Sequence, residues 1–204
     1  MKNVILIFAL TLVATGCIKK YNGSDNADES GFTGSKNEIK EYFSAEVIST
    51  LDELGYNFNT GGNPPDLKGS YFANSLTLKS SNVTGDTPGM SFVDYTYSFS
   101  NQSSDKIDYS SSSSVSNESG IGSFISGSGN DFSIYVKTEG SINGQKKTTA
   151  IAISGTLKSN GISNFMYALI MLDNHGNGTS NGGTVLENGE GRLIFESDNL
   201  MEKQ

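Results

Sequence analysis

The chain has 204 residues but one cysteine, one histidine and no tryptophan. Each scarcity removes a class of chemistry. Cys17 alone cannot make an intramolecular disulfide, so the fold must be held by its core. His175 is the single imidazole available to a Ser-His-Asp or Cys-His arrangement. No His/Cys cluster has zinc spacing, and no phosphate-cradling motif is present. Basic residues are few: 14 Lys and Arg against 22 Asp and Glu, a formal charge of −8. With no basic cluster, nucleic acid is not an expected partner, and neither is electrostatic docking on anionic lipid. The apolar run from Val4 to Ala14 is too short to span a bilayer, which takes about 20 apolar residues.

That short run has a different meaning. Lys2 precedes it and Ala14-Thr15-Gly16-Cys17 follows it, the layout of a secretory signal over residues 1–16. Small residues before a lone cysteine resemble the bacterial lipobox, whose cysteine is acylated and becomes the new N-terminus. Ala14 stands where such motifs prefer leucine. The alternative is an ordinary cleavage site after Gly16 with Cys17 incidental. The lipoprotein reading implies an envelope location, on the periplasmic or cell-surface side of the outer membrane. The membrane is then a partner through acyl chains on Cys17, at about 0.8 kcal/mol per buried methylene.

Residues 17–34 are polar and glycine-containing and read as a flexible tether. A single domain is expected over 35–204. It opens with Ser35-Lys36-Asn37-Glu38, a capping box. Ile39, Tyr42, Phe43, Val47, Leu51 and Leu54 follow at helical spacing and Gly55 ends the pattern, so one amphipathic helix is expected over 36–54. From Pro64-Pro65 onward the period becomes two, as in Phe132, Ile134 and Val136 alternating with Ser133, Tyr135 and Lys137. About eight strands are expected, at 69–79, 91–101, 105–116, 121–127, 131–142, 146–158, 162–172 and 191–196. Short Asn-Gly and Asn-Asp links make neighbours antiparallel. The fold class is mainly β: an antiparallel up-and-down barrel with the helix packed against it, the two-sheet sandwich being the alternative. Phe165 to Leu172 is apolar on both faces, so the helix is expected to cover its outer side. Ser110 to Ser114 reads as a weak polar strand with an edge position open to it.

Some of these residues also resemble a known group. Asn63-Pro64-Pro65 before Gly69-Ser70-Tyr71, then Gly122-Ser123-Phe124 through Asn130 and Phe132, Ile153-Ser154-Gly155, Gly161-Ile162 and Gly189-Glu190-Gly191-Arg192 are similar in order and spacing to a family of lipoproteins from Bacteroides-like bacteria. The resemblance covers roughly 60–202 and implies a lipocalin-like β-barrel. The tail from Ser197 to Glu202 lacks the glycine-rich aspartate turn of the group, and the group implies no activity for any residue.

No catalytic constellation is found. His175 sits in a loop rich in Gly and Asn and reads as solvated. Asp173, Asn177 and Gly178 loosely match a calcium loop, but Thr184 stands where a bidentate Glu is needed. Asp94, Asp108, Asp131 and Glu139 lie on or beside strands, with no spacing that selects a glycosidase pair. Aromatic strands are the usable feature. The expected function is non-enzymatic binding of a small, partly apolar ligand without cofactor or metal, by a monomer. Its lining would come from Tyr95, Tyr97, Phe99, Phe132, Ile134, Ile151 and Ile153, with space left by Ala150, Ala152 and Gly155. The alternative is a surface module whose loops bind protein or glycan on a filled barrel.

Overall fold

A computed structural model describes residues 32–204; Cys17, the signal expected over 1–16 and most of the stretch expected to be a tether lie outside the described residues. The first elements are two helices, α1 (Lys36–Phe43) and α2 (Ala45–Leu54). Ser35 caps α1 as expected, and Ser35 N donates to Glu38 Oε2 at 3.0 Å. The expected continuous helix is broken at Ser44, whose φ is 130°. Its hydroxyl accepts from Val47 N at 3.4 Å and starts α2. A serine side chain that binds backbone competes with the helical ladder, which accounts for the break. Gly55 ends α2 in the left-handed region, at φ 79°.

The strands in chain order are β1 (Gly62–Asn63), β2 (Gly69–Ala73), β3 (Leu76–Ser81), β4 (Tyr95–Ser103), β5 (Lys106–Ser112) and β6 (Ser116–Ser128). Then come β7 (Asp131–Ile142), β8 (Gln145–Lys158), β9 (Gly161–Asp173), β10 (Gly191–Glu196) and β11 (Met201–Lys203). β4 to β9 form an antiparallel meander, each strand paired with the next. β2 flanks β4, and β11 pairs with both β2 and the start of β9. These eight strands, β2, β4 to β9 and β11, close a ring. β10 pairs with the later part of β9 and carries β3 on its other edge, while β1 adds to β6 in parallel.

Several expected boundaries move. The strand expected over 69–79 is interrupted at Asn74 and Ser75, because β2 serves β4 and β11 whereas β3 serves β10. The strand expected over 105–116 ends at Ser112. Ser113 Oγ accepts from Val115 N and Ser116 N and turns the chain into β6, which is longer than the expected 121–127. Ser110 to Ser112 are not an edge: β5 is paired with β4 on one side and β6 on the other.

Alternation along the strands divides the core in two. Inside the ring, Tyr71, Tyr97, Phe99, Tyr109, Phe132, Ile134, Ile151, Ile153, Phe165 and Tyr167 pack into one apolar cluster. Outside it, Tyr135, Ala150, Ala152, Ala168, Ile170 and Leu193 meet Ile39, Phe43, Val47, Leu51 and Leu54 of the helices. β9 therefore buries both faces, as its continuous apolar run requires. Phe32, part of the stretch read as tether, is buried at this second layer beside Phe124, and its N–H donates to Asp105 Oδ2 at 3.3 Å.

Candidate functional site at the ring mouth

The residues expected to line a ligand are in one place, but it is a filled one. Tyr97, Phe99, Phe132, Ile134, Ile151 and Ile153 are all at most 2 % exposed and belong to the interior cluster. Tyr95 is half-buried, its ring 5.7 Å from that of Tyr97. Tyr97 also meets Phe165 at 5.3 Å and Tyr167 at 5.8 Å. These rings occupy the middle of the ring with their own volume. Ala150 and Ala152 leave no interior space either, because they point outward under the helices.

Open space lies at one end. A cavity of about 500 Å³ is bounded by Val83, Asp86, Ile142, Lys147, Leu169, Met171, Val185, Leu186, Glu190 and Arg192, among others. Three connections meet there: β3 to β4, the β7–β8 hairpin and β9 to β10. Met171, Val185 and Leu186 form a small apolar cluster with Val83, Ile142 and Leu169 against it, which gives the cavity an aliphatic side.

Its polar side includes Lys147, Asp86 and Arg192, which take part in two ion pairs, together with Glu190 and three threonines. Strand register places Tyr97, Ser111, Glu118, Gly140 and Lys147 abreast across β4 to β8. Gly140 stands between the two charges. A Cβ there would lie 3.3 Å from both Asn117 O and Glu118 Cγ, so the absent side chain leaves the path for Lys147 Nζ to donate to Glu118 Oε1. Both side chains are nearly enclosed, at 7 % and 4 % exposure. Burial pulls the Lys147 ammonium down to about 8. Glu118 Oε2 has no donor among the described residues. Beside this pair a buried hydroxyl contact joins Thr138 and Thr149 at 2.6 Å.

Arg192 supplies the second pair. Its Nε and Nη2 donate to Asp86 Oδ2 and Oδ1 at 2.7 and 2.9 Å, and Ser81 Oγ donates to Asp86 Oδ2 at 2.7 Å. The Arg192 hydrogen bond holds the Asp86 carboxyl below its ordinary value. Asp86 thus accepts three hydrogen bonds, and the ammonium and the guanidinium carry more N–H donors than these pairs use.

The β9–β10 connection is tied to the β7–β8 hairpin beside this opening. Thr184 N and Oγ1 donate to Gln145 Oε1 at 3.0 and 2.8 Å, and Asn177 Nδ2 donates to Lys146 O at 3.1 Å. His175 takes part only as an anchor, its Nε2 3.0 Å from Thr148 Oγ1. Asp173 Oδ1 accepts from His175 N, and no group of three His, Cys, Asp or Glu able to hold a metal ion is found among the described residues. The four strand carboxylates are dispersed. Asp108 accepts from Asn101, Asp131 accepts from Thr156, Asp94 and Glu139 are exposed, and register sets none of the four opposite another.

Sequence reasoning missed Lys147, Glu118 and Arg192. The signal was phase: Lys147 shares parity with Thr149, Ile151 and Ile153, and Arg192 with Ile194, so both had to face inward. Compared with known proteins, the chain matches no family model, no curated protein and no solved structure.

Proposed function

We propose that the protein is an exported lipoprotein, anchored by acyl chains on Cys17, whose ring is a lipocalin-like barrel that holds a small, partly apolar molecule at its mouth. The observation that carries this reading is the cavity of about 500 Å³, aliphatic on one side and provided with Lys147 and Arg192 on the other. Ligand pockets combine apolar walls with a few convergent polar groups in this way, in volumes of about 300–1,000 Å³. The binding region is the mouth and not the aromatic interior, because the interior is occupied by its own side chains. Titration with pyrenemethanol, a neutral amphiphile with its own fluorescence, tests the reading. Saturable binding is expected for the natural chain and its loss for Met171→Trp, which fills the aliphatic side. Equal binding by both contradicts it.

One observation favours a second reading, a module for neutral glycans. Ser70, Ser98, Ser110 and Ser119 stand abreast on the outer face of β2, β4, β5 and β6. A groove of about 310 Å³ is lined by the last three of these and by Thr96, Ser112, Asn117 and Glu118, among others. Hydroxyls both donate and accept, as those of a sugar do. On this reading retention by a neutral polysaccharide gel is lost in Ser110→Leu.

A further inference from the structure

Two chain crossings meet at one serine. Ser75 lies between β2 and β3, and Ser197 follows β10 on the way to β11. Each crossing passes from one strand pair to another, because β2 pairs with β11 and β3 with β10. Ser75 O accepts from Ser197 N at 3.0 Å and from Ser197 Oγ at 2.9 Å. Ser75 Oγ donates to Asp198 Oδ2 at 3.4 Å, and Ser75 N donates to Glu196 Oε1 at 2.8 Å. From this clasp β3 and β10 run together to the mouth, where Ser81 and Arg192 stand opposite each other and both bind Asp86.

Glu196 is the unusual member of the clasp. It shares parity with Ile194, which belongs to the interior cluster, so its side chain is inside the ring, and it is 3 % exposed. Its Oε2 has no donor among the described residues. The ionisable groups that face it are Asp198 of the β10–β11 turn, Asp94 ahead of β4 and the Tyr97 hydroxyl of β4. Burial pushes that hydroxyl well above its ordinary value, so it stays neutral. No lysine or arginine forms an ion pair with Glu196 among the described residues. As a neutral acid, Glu196 accepts from Ser75 N through one oxygen and has a hydroxyl to donate toward Asp198 through the other. As an anion it is buried beside two acids with a single donor, which is costly. Burial, and then the charge of Asp198, accordingly raise its carboxyl to about 7. Turning the ionised side chain out to water relieves that cost and gives up the bond to Ser75.

We propose that the clasp is a proton-operated latch: with Glu196 protonated the two crossings are held together at Ser75, and loss of that proton releases them while the rest of the ring stays folded. A released carboxyl titrates near its ordinary 4.5, so the latch is firmest below that value and weakens as pH rises to 7 and beyond.

The test is native-state amide exchange of the full chain, followed by NMR at pH 5 and pH 8 and corrected for the intrinsic pH dependence of exchange. Protection of the Ser75 and Ser197 amides is expected to fall by about tenfold or more between the two. Ile134 and Ile153, paired in the middle of the sheet, serve as references and should keep theirs. Glu196→Gln keeps an acceptor for Ser75 N and a donor for Asp198 without a charge, and should abolish the fall. Asp198→Asn, at an exposed turn, removes one facing charge and should lessen it, which keeps the test open if Glu196→Gln fails to fold. Ser75 protection that does not change with pH, a fall shared equally by Ile134 and Ile153, or an undiminished fall in either variant overturns the proposal.

Discussion

Glu118 and Lys147 illustrate how a single missing side chain sets local chemistry. They meet across Gly140, inside the ring, where neither charge is well hydrated. Removing one partner leaves the other buried and uncompensated, whereas removing both is nearly neutral. Lys147→Met is therefore expected to cost about 3–5 kcal/mol in urea unfolding, and Lys147→Met with Glu118→Leu to recover most of it. Glu196 makes the corresponding case for an acid buried near other acids. Its folded-state carboxyl titrates near 7 against an ordinary 4.5. Below the ordinary value both folded and unfolded chains hold the proton, and the contribution to stability is full. Between the two values only the folded chain keeps it, so that contribution is lost as pH rises toward 7 and beyond. The melting temperature of the natural chain should fall from pH 5 to pH 8 more than that of Glu196→Gln; parallel curves would remove Glu196 as the cause.

At the scale of elements, the helices act as the outer cover of the sheet. Leu51 is 1 % exposed between α2 and the outer face of the sheet. Leu51→Ala should cost about 2–5 kcal/mol by chemical unfolding, as buried leucine truncations do; a loss under 1 kcal/mol would mean the helices are dispensable. Much of this scale was legible. Alternation in Phe132 to Lys137 and in Ile151 to Leu157 gives the central strands and their inner faces, and the doubly apolar β9 gives the need for a cover. What was not legible was short or carried by a few atoms. β1 and β11 have two and three residues, too few to show a period. The break at Ser44 interrupts no apolar spacing, since Phe43 and Val47 remain four apart on the buried side. The mouth escaped notice because Val83, Lys147 and Val185 come from three distant connections, and its charges sit in stretches that look solvated.

For the whole molecule, the register leads from an acidic chain without disulfides to a closed eight-stranded ring, filled in its middle and open at one end. No helix among the described residues is long and apolar enough to cross a membrane. On the proposed reading, attachment rests on lipid at Cys17 and the open end takes the ligand. Native mass spectrometry of the chain recovered from its own host, repeated after denaturation, tests this most directly. The account predicts two increments: acyl mass that survives denaturation, and a smaller non-covalent mass that is lost on denaturation and missing from Met171→Trp. A bare polypeptide mass beginning at Cys17, unchanged between native and denatured conditions, would contradict both the anchor and the ligand.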